Sequence, residues 1–295
     1  MPAARLESAP AKVNLTLRVL GRRGDGYHEI ESLVAFASIG DALVFTPGAS
    51  LSLEVRGPTA DASGGLADNL VLKAAHALAE RIRPLKLGRF ELSKRLPVAA
   101  GLGGGSADAA AALRLLARHN RIALDDARVM AAARATGADV PVCLDPRPRL
   151  MRGIGELLSR PLRLPSLPAV LLNPRVSVAT RDVFTALRAP PIAKAPRDAG
   201  SDASFPSGRN EFIETLTRGG NDLEPPAISL HPAIAEALAA LRGVGGCRLA
   251  RMSGSGSTCF ALFDSARAAT AAARSLRIAR SQWWVRATVL GAAAR

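Results

Sequence analysis

Between Val13 and Leu20 apolar residues alternate with Asn14, Thr16 and Arg18, the period of a strand with one buried face, which sets Lys12 and Asn14 opposite Val13 and Leu15. Segments 30–38, 41–46 and 51–56 read as further short strands. Leu70–Glu80 carries its apolar residues on one side behind a cap at Asp68 or Asn69, predicting a helix, and Phe90–Lys94 returns as a strand. A second helix is predicted from about Ser106 through Arg118, and a third over Asp125–Thr136, closed by a left-handed cap at Gly137. In the other half, Ala169–Asn173 reads as a buried strand, Thr180 as the cap of a helix, His231–Leu241 as a helix, and 248–263 as strand, glycine turn and strand. Residues 189–208, rich in Pro, Ala, Asp and Ser, read as a surface loop. Strands and helices mix in both halves without a repeated strand-helix-strand unit, so the class is α+β. The shift toward Pro and Arg near residue 160 sets an expected division into 1–160 and 161–295.

Between the predicted strand at 90–94 and the helix lies Leu96-Pro97-Val98-Ala99-Ala100-Gly101-Leu102-Gly103-Gly104-Gly105-Ser106-Ala107-Asp108. Four glycines in five positions allow positive φ and a close approach of backbone to a bulky anion. A helix that starts there aims unpaired N–H groups and its positive dipole end into the loop, which suits polyphosphate. It is not a Walker A loop, which needs Gly-Lys-Ser/Thr, nor the dinucleotide fingerprint, which needs glycine where Ser106 stands.

Composition adds an anion preference. The net charge of +14 comes from 39 basic residues, of which only 12, 73, 86, 94 and 194 are lysine, and the arginines are scattered. No block of like charge occurs, and 11 aromatics in 295 residues give no basic-aromatic interleaving of the single-strand-binding kind. Cys143, Cys247 and Cys259 are an odd number without CxxC spacing, so neither a disulfide framework nor a zinc site is expected. The first residues carry no apolar leader and no uncharged 18-residue run occurs, so a soluble cytoplasmic protein is expected.

Chemistry-bearing residues lie outside the loop too. The turn 21–28 holds the only tyrosine, Tyr27, which can stack on a planar ring, beside His28, which can hydrogen-bond one. Asp139 follows a helix end and precedes an apolar run, and reads as the most buried carboxylate of its half, of the kind a kinase sets near the accepting hydroxyl.

Together, Pro10–Leu15, Pro97–Asp108 and Gly254-Ser255-Gly256-Ser257 resemble the three motifs of the GHMP kinase superfamily. Gly24–His28, Gly137–Pro141 and Asn221–Glu224 are similar to a branch whose members phosphorylate a diphosphocytidyl-linked methylerythritol on the non-mevalonate isoprenoid route. The resemblance implies transfer of the ATP γ-phosphoryl group to the C2 hydroxyl of that alcohol. It also implies a ribosomal-protein-S5-domain-2-like ATP domain and a ferredoxin-like substrate domain, with the reaction in the cleft between them and the last strand, about 283–295, returning to the first.

Carried over by position, Pro97, Ala100, Gly101, Leu102, Gly103, Gly104, Gly105 and Ser106 hold ATP phosphates, and Asn69 and Lys94 approach the purine. Asp139 accepts the proton of the hydroxyl and Lys12 is its electrostatic partner. Tyr27 and Phe184 sandwich cytosine, His28 reads its edge, and Asn14, Thr180, Gly254, Ser255 and Gly256 approach the substrate. Mg2+ is expected with ATP, held by nucleotide oxygens and water and by no dedicated protein ligands. Ala107 stands where many members have a second serine. A homoserine- or mevalonate-type kinase shares the loop, and a basic RNA-binding protein also fits the charge; the expected partners are a small alcohol and ATP, with neither nucleic acid nor membrane.

Overall fold

The computed structural model describes residues 4–192 and 204–291. In chain order the elements are β1 (Arg5–Asn14), β2 (Arg18–Arg22), β3 (His28–Pro47), β4 (Ser52–Arg56), α1 (Leu70–Arg81), β5 (Gly88–Ser93), α2 (Gly104–Asn120), α3 (Ala127–Thr136) and α4 (Val140–Leu144). There follow β6 (Arg149–Gly153), β7 (Leu157–Leu158), β8 (Leu167–Asn173), α5 (Thr180–Leu187), α6 (Arg209–Arg218), α7 (Glu224–Leu230), α8 (Ala233–Arg242), β9 (Leu249–Met252), β10 (Cys259–Leu262), α9 (Ala266–Ala279) and β11 (Trp284–Leu290). The class is α+β. Two compact units interleave along the chain: one comprises residues 1–11, 39–98 and 103–146, the other 12–38, 99–102 and 147–295.

In the first unit, β5 pairs antiparallel with the end of β3, from Ala42↔Ser93 to Pro47↔Gly88, and parallel with β4. Gly40 backs onto Ala9, where an added Cβ would lie 2.2 Å from a carbonyl oxygen, so only glycine allows that approach. Helices α1 to α4 pack on one another through alanine: Ala107 and Ala109 to Ala112 are all buried. Small side chains let helix axes come close, and the core gains its bulk from Phe45, Phe90, Leu78 and Leu92.

In the second unit, β8 is buried along its whole length, as a near-continuous apolar run requires. It pairs antiparallel with β10 on one side and β11 on the other; β9 extends the sheet beyond β10, and Leu290 of β11 meets Ala37 of β3. Helices α8 and α9 cover this sheet with Ile234, Leu238, Leu241 and Leu276. The start of β3 pairs with β2 and β6.

Several local expectations differ from the structure. Segments 30–38 and 41–46 are one strand of 20 residues, β3, because Asp41 is tied down by hydrogen bonds and does not break the run. The alternation at 12–15 does not mark a half-exposed strand: Lys12 and Asn14 are buried along with Val13 and Leu15, the Asn14 Nδ2 donating to Ser32 Oγ. Helix α2 begins at Gly104, with Gly103 as a left-handed N-cap, so Ser106 lies in the first turn and is not the cap. Gly137 is extended, not left-handed. Thr180 is the first residue of α5 and caps nothing, its hydroxyl being engaged elsewhere. Much of the expected loop 189–208, namely 193–203, lies outside the described residues.

The Phe45 ring lies tilted at 43° against Phe90, centroids 5.0 Å apart, and packs edge-on with His119 at 5.3 Å. Truncation to Phe45→Ala is expected to cost about 3–5 kcal/mol through lost transfer energy and a residual cavity, measured as a lowered urea midpoint at unchanged slope.

Candidate functional site

Three segments far apart in sequence converge in the second unit. The Asn14 N–H donates to Ser253 Oγ at 3.1 Å, and Ser253 Oγ donates to the Gly101 carbonyl at 2.9 Å. The Lys12 N–H donates to the Leu102 carbonyl at 2.8 Å and the Thr258 N–H to the Ala100 carbonyl at 3.1 Å. Gly101 has φ +73°, and a Cβ on it would lie 2.3 Å from the Ser253 carbonyl oxygen, so glycine is required by both conformation and space. Gly254, at φ +58°, faces Asn14 Oδ1 and the Gly101 carbonyl. One buried hydroxyl, Ser253, thus joins the N-terminal lysine-asparagine segment, the glycine stretch and the Gly-Ser turn.

The surrounding groups hold this knot. Asn221 donates from Nδ2 to the carbonyls of Met252 and Gly254, and Asn173 donates to the hydroxyls of Ser257 and Thr258. Arg251, buried, donates to the carbonyls of Leu15, Leu216 and Gly219, and burial lowers its pKa. Asn14 donates from Nδ2 to Ser32 Oγ at 2.7 Å, while its Oδ1 is a buried acceptor with no hydrogen-bond partner among the described residues. Thr180 and Ser255 share a hydroxyl contact at 2.8 Å.

In the same unit the ring lying over Phe184 is His28, with centroids 4.7 Å apart and planes at 29°. Tyr27, expected opposite Phe184, is instead 60% exposed, on a turn where its N–H donates to Asp25 Oδ1. Burial, and secondarily Arg22, lowers the His28 pKa below 6.5.

The first unit supplies the rest of the glycine stretch. Its backbone turns left-handed at Gly103, after which Gly104, Gly105 and Ser106 open α2 with N–H groups that have no partner in the preceding turn; Ser106 is half-buried and Gly105 exposed. Pro97 is half-buried, and Ala100 and Leu102 are buried. Lys94 is buried and ion-paired through Nζ to Asp41 at 2.5 Å and Asp108 at 2.8 Å. Burial opposes its ammonium form, but the Asp108 and Asp41 charges outweigh that and raise its pKa. Burial likewise pushes Asp108 up to about 7 against the pull of Lys94. Asn69 is the N-cap of α1, accepting from the Val71 N–H at 3.0 Å. Asp139 stands at the N-cap position of the short α4 and is half-buried; Asp41, Asp108 and Glu29 are more buried, against expectation, because each is enclosed by sheet or helix while Asp139 lies at a helix end.

Ser253, Asn173, Arg251 and Asp41 were not singled out by the sequence; Asn221 entered only within a resemblance motif, and Lys94 only as a neighbour of the purine, not as a buried ion. Only Asp108 carried a signal, as a charge inside an alanine-rich, otherwise apolar helix start. Among the described residues no three His, Cys, Asp or Glu stand together as metal donors, and no helix is long and apolar enough to cross a membrane.

A glycine-opened helix start is a ready site for a phosphate-bearing ligand. Residues 69–145 match the GHMP kinases N terminal domain and 207–281 the GHMP kinases C terminal domain. The chain is 57% identical over 285 residues to the 4-diphosphocytidyl-2-C-methyl-D-erythritol kinase of Xanthobacter autotrophicus, covering 96% of this chain and 97% of that one. It is 56% identical to the enzyme of the same name from Rhodopseudomonas palustris, covering 95% of each. A crystal structure of 4-(cytidine 5'-diphospho)-2C-methyl-D-erythritol kinase superposes with a TM-score of 0.78 at 38% identity, over 99% of this chain and 100% of that chain. A homoserine kinase from Cytophaga hutchinsonii, at 20% identity and a TM-score of 0.68, shares the fold. The chain belongs to the GHMP kinases, in the family of the 4-diphosphocytidyl-2-C-methyl-D-erythritol kinases.

The environment of His28 sets a pH dependence. The fold favours the neutral ring, so the unfolded chain binds the proton more readily; this contribution to stability is present above about pH 6.5 and is lost as pH falls. An NMR titration of His28 is expected to give a midpoint below 6.5, and Arg22→Ala to recover only part of the shift, since burial is the larger cause. A midpoint at or above 6.5 contradicts the half-buried, stacked placement.

Proposed function

We propose that this chain transfers the γ-phosphoryl group of ATP to the C2 hydroxyl of 4-diphosphocytidyl-2-C-methyl-D-erythritol, a step of non-mevalonate isoprenoid precursor synthesis. The observation that carries the reading is the convergence of residues 12–14, 100–102 and 253–258 on the Ser253 hydroxyl. It occurs in a chain whose relatives, matched across nearly their whole length, bear that activity in their names.

The N–H groups of Gly103 to Ser106 and the Ser106 hydroxyl take the β- and γ-phosphates, because a helix N-terminus without Cβ atoms offers unpaired donors and positive potential to an anion. Pro97, Ala100, Gly101 and Leu102 shape that turn, and Asn69 borders the purine. The buried contacts of Lys94 favour a structural role for it over one on the base. The nucleotide is used as its magnesium complex. The cation would be held by the phosphate oxygens and water and would neutralise charge there.

Asp139 accepts the proton of the attacking hydroxyl, and Lys12 stabilises the charge that builds on the transferring group. Asn14 Oδ1, a buried acceptor left open, suits a substrate hydroxyl: a donor there removes a desolvation cost of about 1–3 kcal/mol. The exposed Tyr27 ring gives a face for cytosine, and the neutral His28, itself stacked on Phe184, offers one donor and one acceptor to its edge. Thr180 and the backbone at Gly254, Ser255 and Gly256 border the acceptor. A division into an ATP domain, residues 1–160, and a substrate domain, residues 161–295, is supported by the family matches on either side of it, while 12–38, 99–102 and 147–160 pack with the second compact unit, within which Leu290 also meets Ala37. Three free thiols suit a reducing, cytoplasmic setting.

ADP release from ATP and magnesium, with the diphosphocytidyl alcohol, homoserine and mevalonate offered in turn, tests the reading. Turnover is expected with the first; turnover with homoserine alone would overturn it. Asp139→Asn is expected to lower kcat by roughly a hundredfold or more while ATP affinity persists, and near-normal kcat removes Asp139 from the reaction. Tyr27→Ala is expected to raise KM for the cytidyl alcohol with KM for ATP unchanged; the reverse pattern counts against stacking.

A further inference from the structure

The buried ions of the first unit have no place in the chemistry above, yet they border both ends of the glycine stretch. Upstream, Asp41 Oδ1 accepts the N–H groups of Arg95 and, at 2.9 Å, Leu96, the last residues before Pro97. Downstream, Asp108 lies in the second turn of α2 and accepts Lys94 Nζ through Oδ2. Lys94 joins the two carboxylates. A Cβ placed on Gly104, the first helical residue, would stand 3.6 Å from Lys94 Nζ and 3.7 Å from Asp41 Oδ2, so the ions lie directly beneath the helix start.

Burying one cation with two carboxylates is expensive. Apolar side chains of similar volume serve stability as well or better, so stability alone does not account for such a group. The backbone it borders has positive φ at Ala99, Gly101 and Gly103, and it is rich in residues that lose the most conformational freedom on ordering.

We propose that Lys94, Asp41 and Asp108 form a positioning clamp that joins the strand-side base of the glycine stretch to the start of α2 and so fixes the Gly104, Gly105 and Ser106 N–H groups as a phosphate-binding array. The proposal rests on the reading that this stretch cradles the triphosphate. Lys94 then acts through the backbone and not on the purine.

Steady-state kinetics and competition binding on the full chain test it, using Lys94→Met, Asp108→Asn and, as a probe of the cradle itself, Gly103→Ala. Both clamp variants are expected to raise KM for MgATP roughly ten- to a hundredfold. KM for the cytidyl alcohol should stay within about twofold, the signature of a defect confined to one substrate. Competition by inorganic tripolyphosphate should weaken in parallel, and competition by adenosine should not. If Lys94→Met weakens adenosine while Asp108→Asn leaves both probes unchanged, Lys94 contacts the purine and the clamp is overturned. If the clamp variants only lower Tm, at unchanged KM, the ions are structural and the clamp is equally overturned.

Gly103→Ala separates the two layers. An unchanged KM for MgATP there removes the cradle and the clamp together; a raised KM there, with both clamp variants normal, removes the clamp alone. Should Lys94→Met fail to fold, hydrogen exchange in Asp108→Asn decides. Faster exchange of the Gly104–Ala107 amides, with α1 and α3 unchanged, supports the clamp, and unchanged exchange overturns it.

Discussion

One hydroxyl organises the second unit. Ser253 is fully buried, accepts the Asn14 N–H and donates to the Gly101 carbonyl, so it uses both of its hydrogen-bonding capacities on backbone more than 150 residues away in either case. A buried carbonyl and a buried N–H that lack protein partners each carry a desolvation penalty, and a single side chain that satisfies both specifies one mutual arrangement of three chain segments. The steric limit at Gly101 follows, since the backbones meet too closely there for a Cβ, while Gly254 is required chiefly by its positive φ. Loss of this contact would remove the side-chain tie between Asn14 and Gly101.

Cations do much of the remaining interior work, and they are used in two ways. Arg251 donates only to backbone carbonyls, its planar fork spanning oxygens from β1's exit and the end of α6. Arg114 in the first unit also reaches two backbone carbonyls, those of Cys143 and Ser8, and adds an ion pair with Glu7. A compact ammonium, by contrast, sits where two carboxylates converge, at Lys94. The high arginine content is therefore not all a surface field for anions: part of it staples carbonyls at strand and helix ends that would otherwise lack donors.

The path from sequence to site can be followed residue by residue. The glycine stretch, the helices at 70–81 and 104–120, the buried strand at 167–173 and the strand-turn-strand of 249–262 were legible because their signals are local: periodicity, the need for positive φ, and the absence of side chains. The kinase resemblance was legible from short motifs in order. Exact helix starts were not, because the cap of α2 is a left-handed glycine and the Thr180 hydroxyl bonds to Ser255, choices made by partners distant in the chain. The burial of Lys12 and Asn14 was hidden for the same reason, since alternation reports one buried face and cannot reveal that both are covered.

The sequence by itself determined where the backbone can bend, where it must be helical, and which residues are chemically able to hold a phosphate or move a proton. Those properties belong to single residues and their near neighbours. Tertiary structure decided which of those residues meet. Ser253 was one small residue in a Gly-Ser run until it bridged Asn14 and Gly101, and Lys94 was a lysine at a strand end until burial against Asp41 and Asp108 made it an internal ion. Contacts across 50 to 240 residues leave no periodic trace in the chain, because their energy comes from desolvation and geometry that exist only once the core has closed.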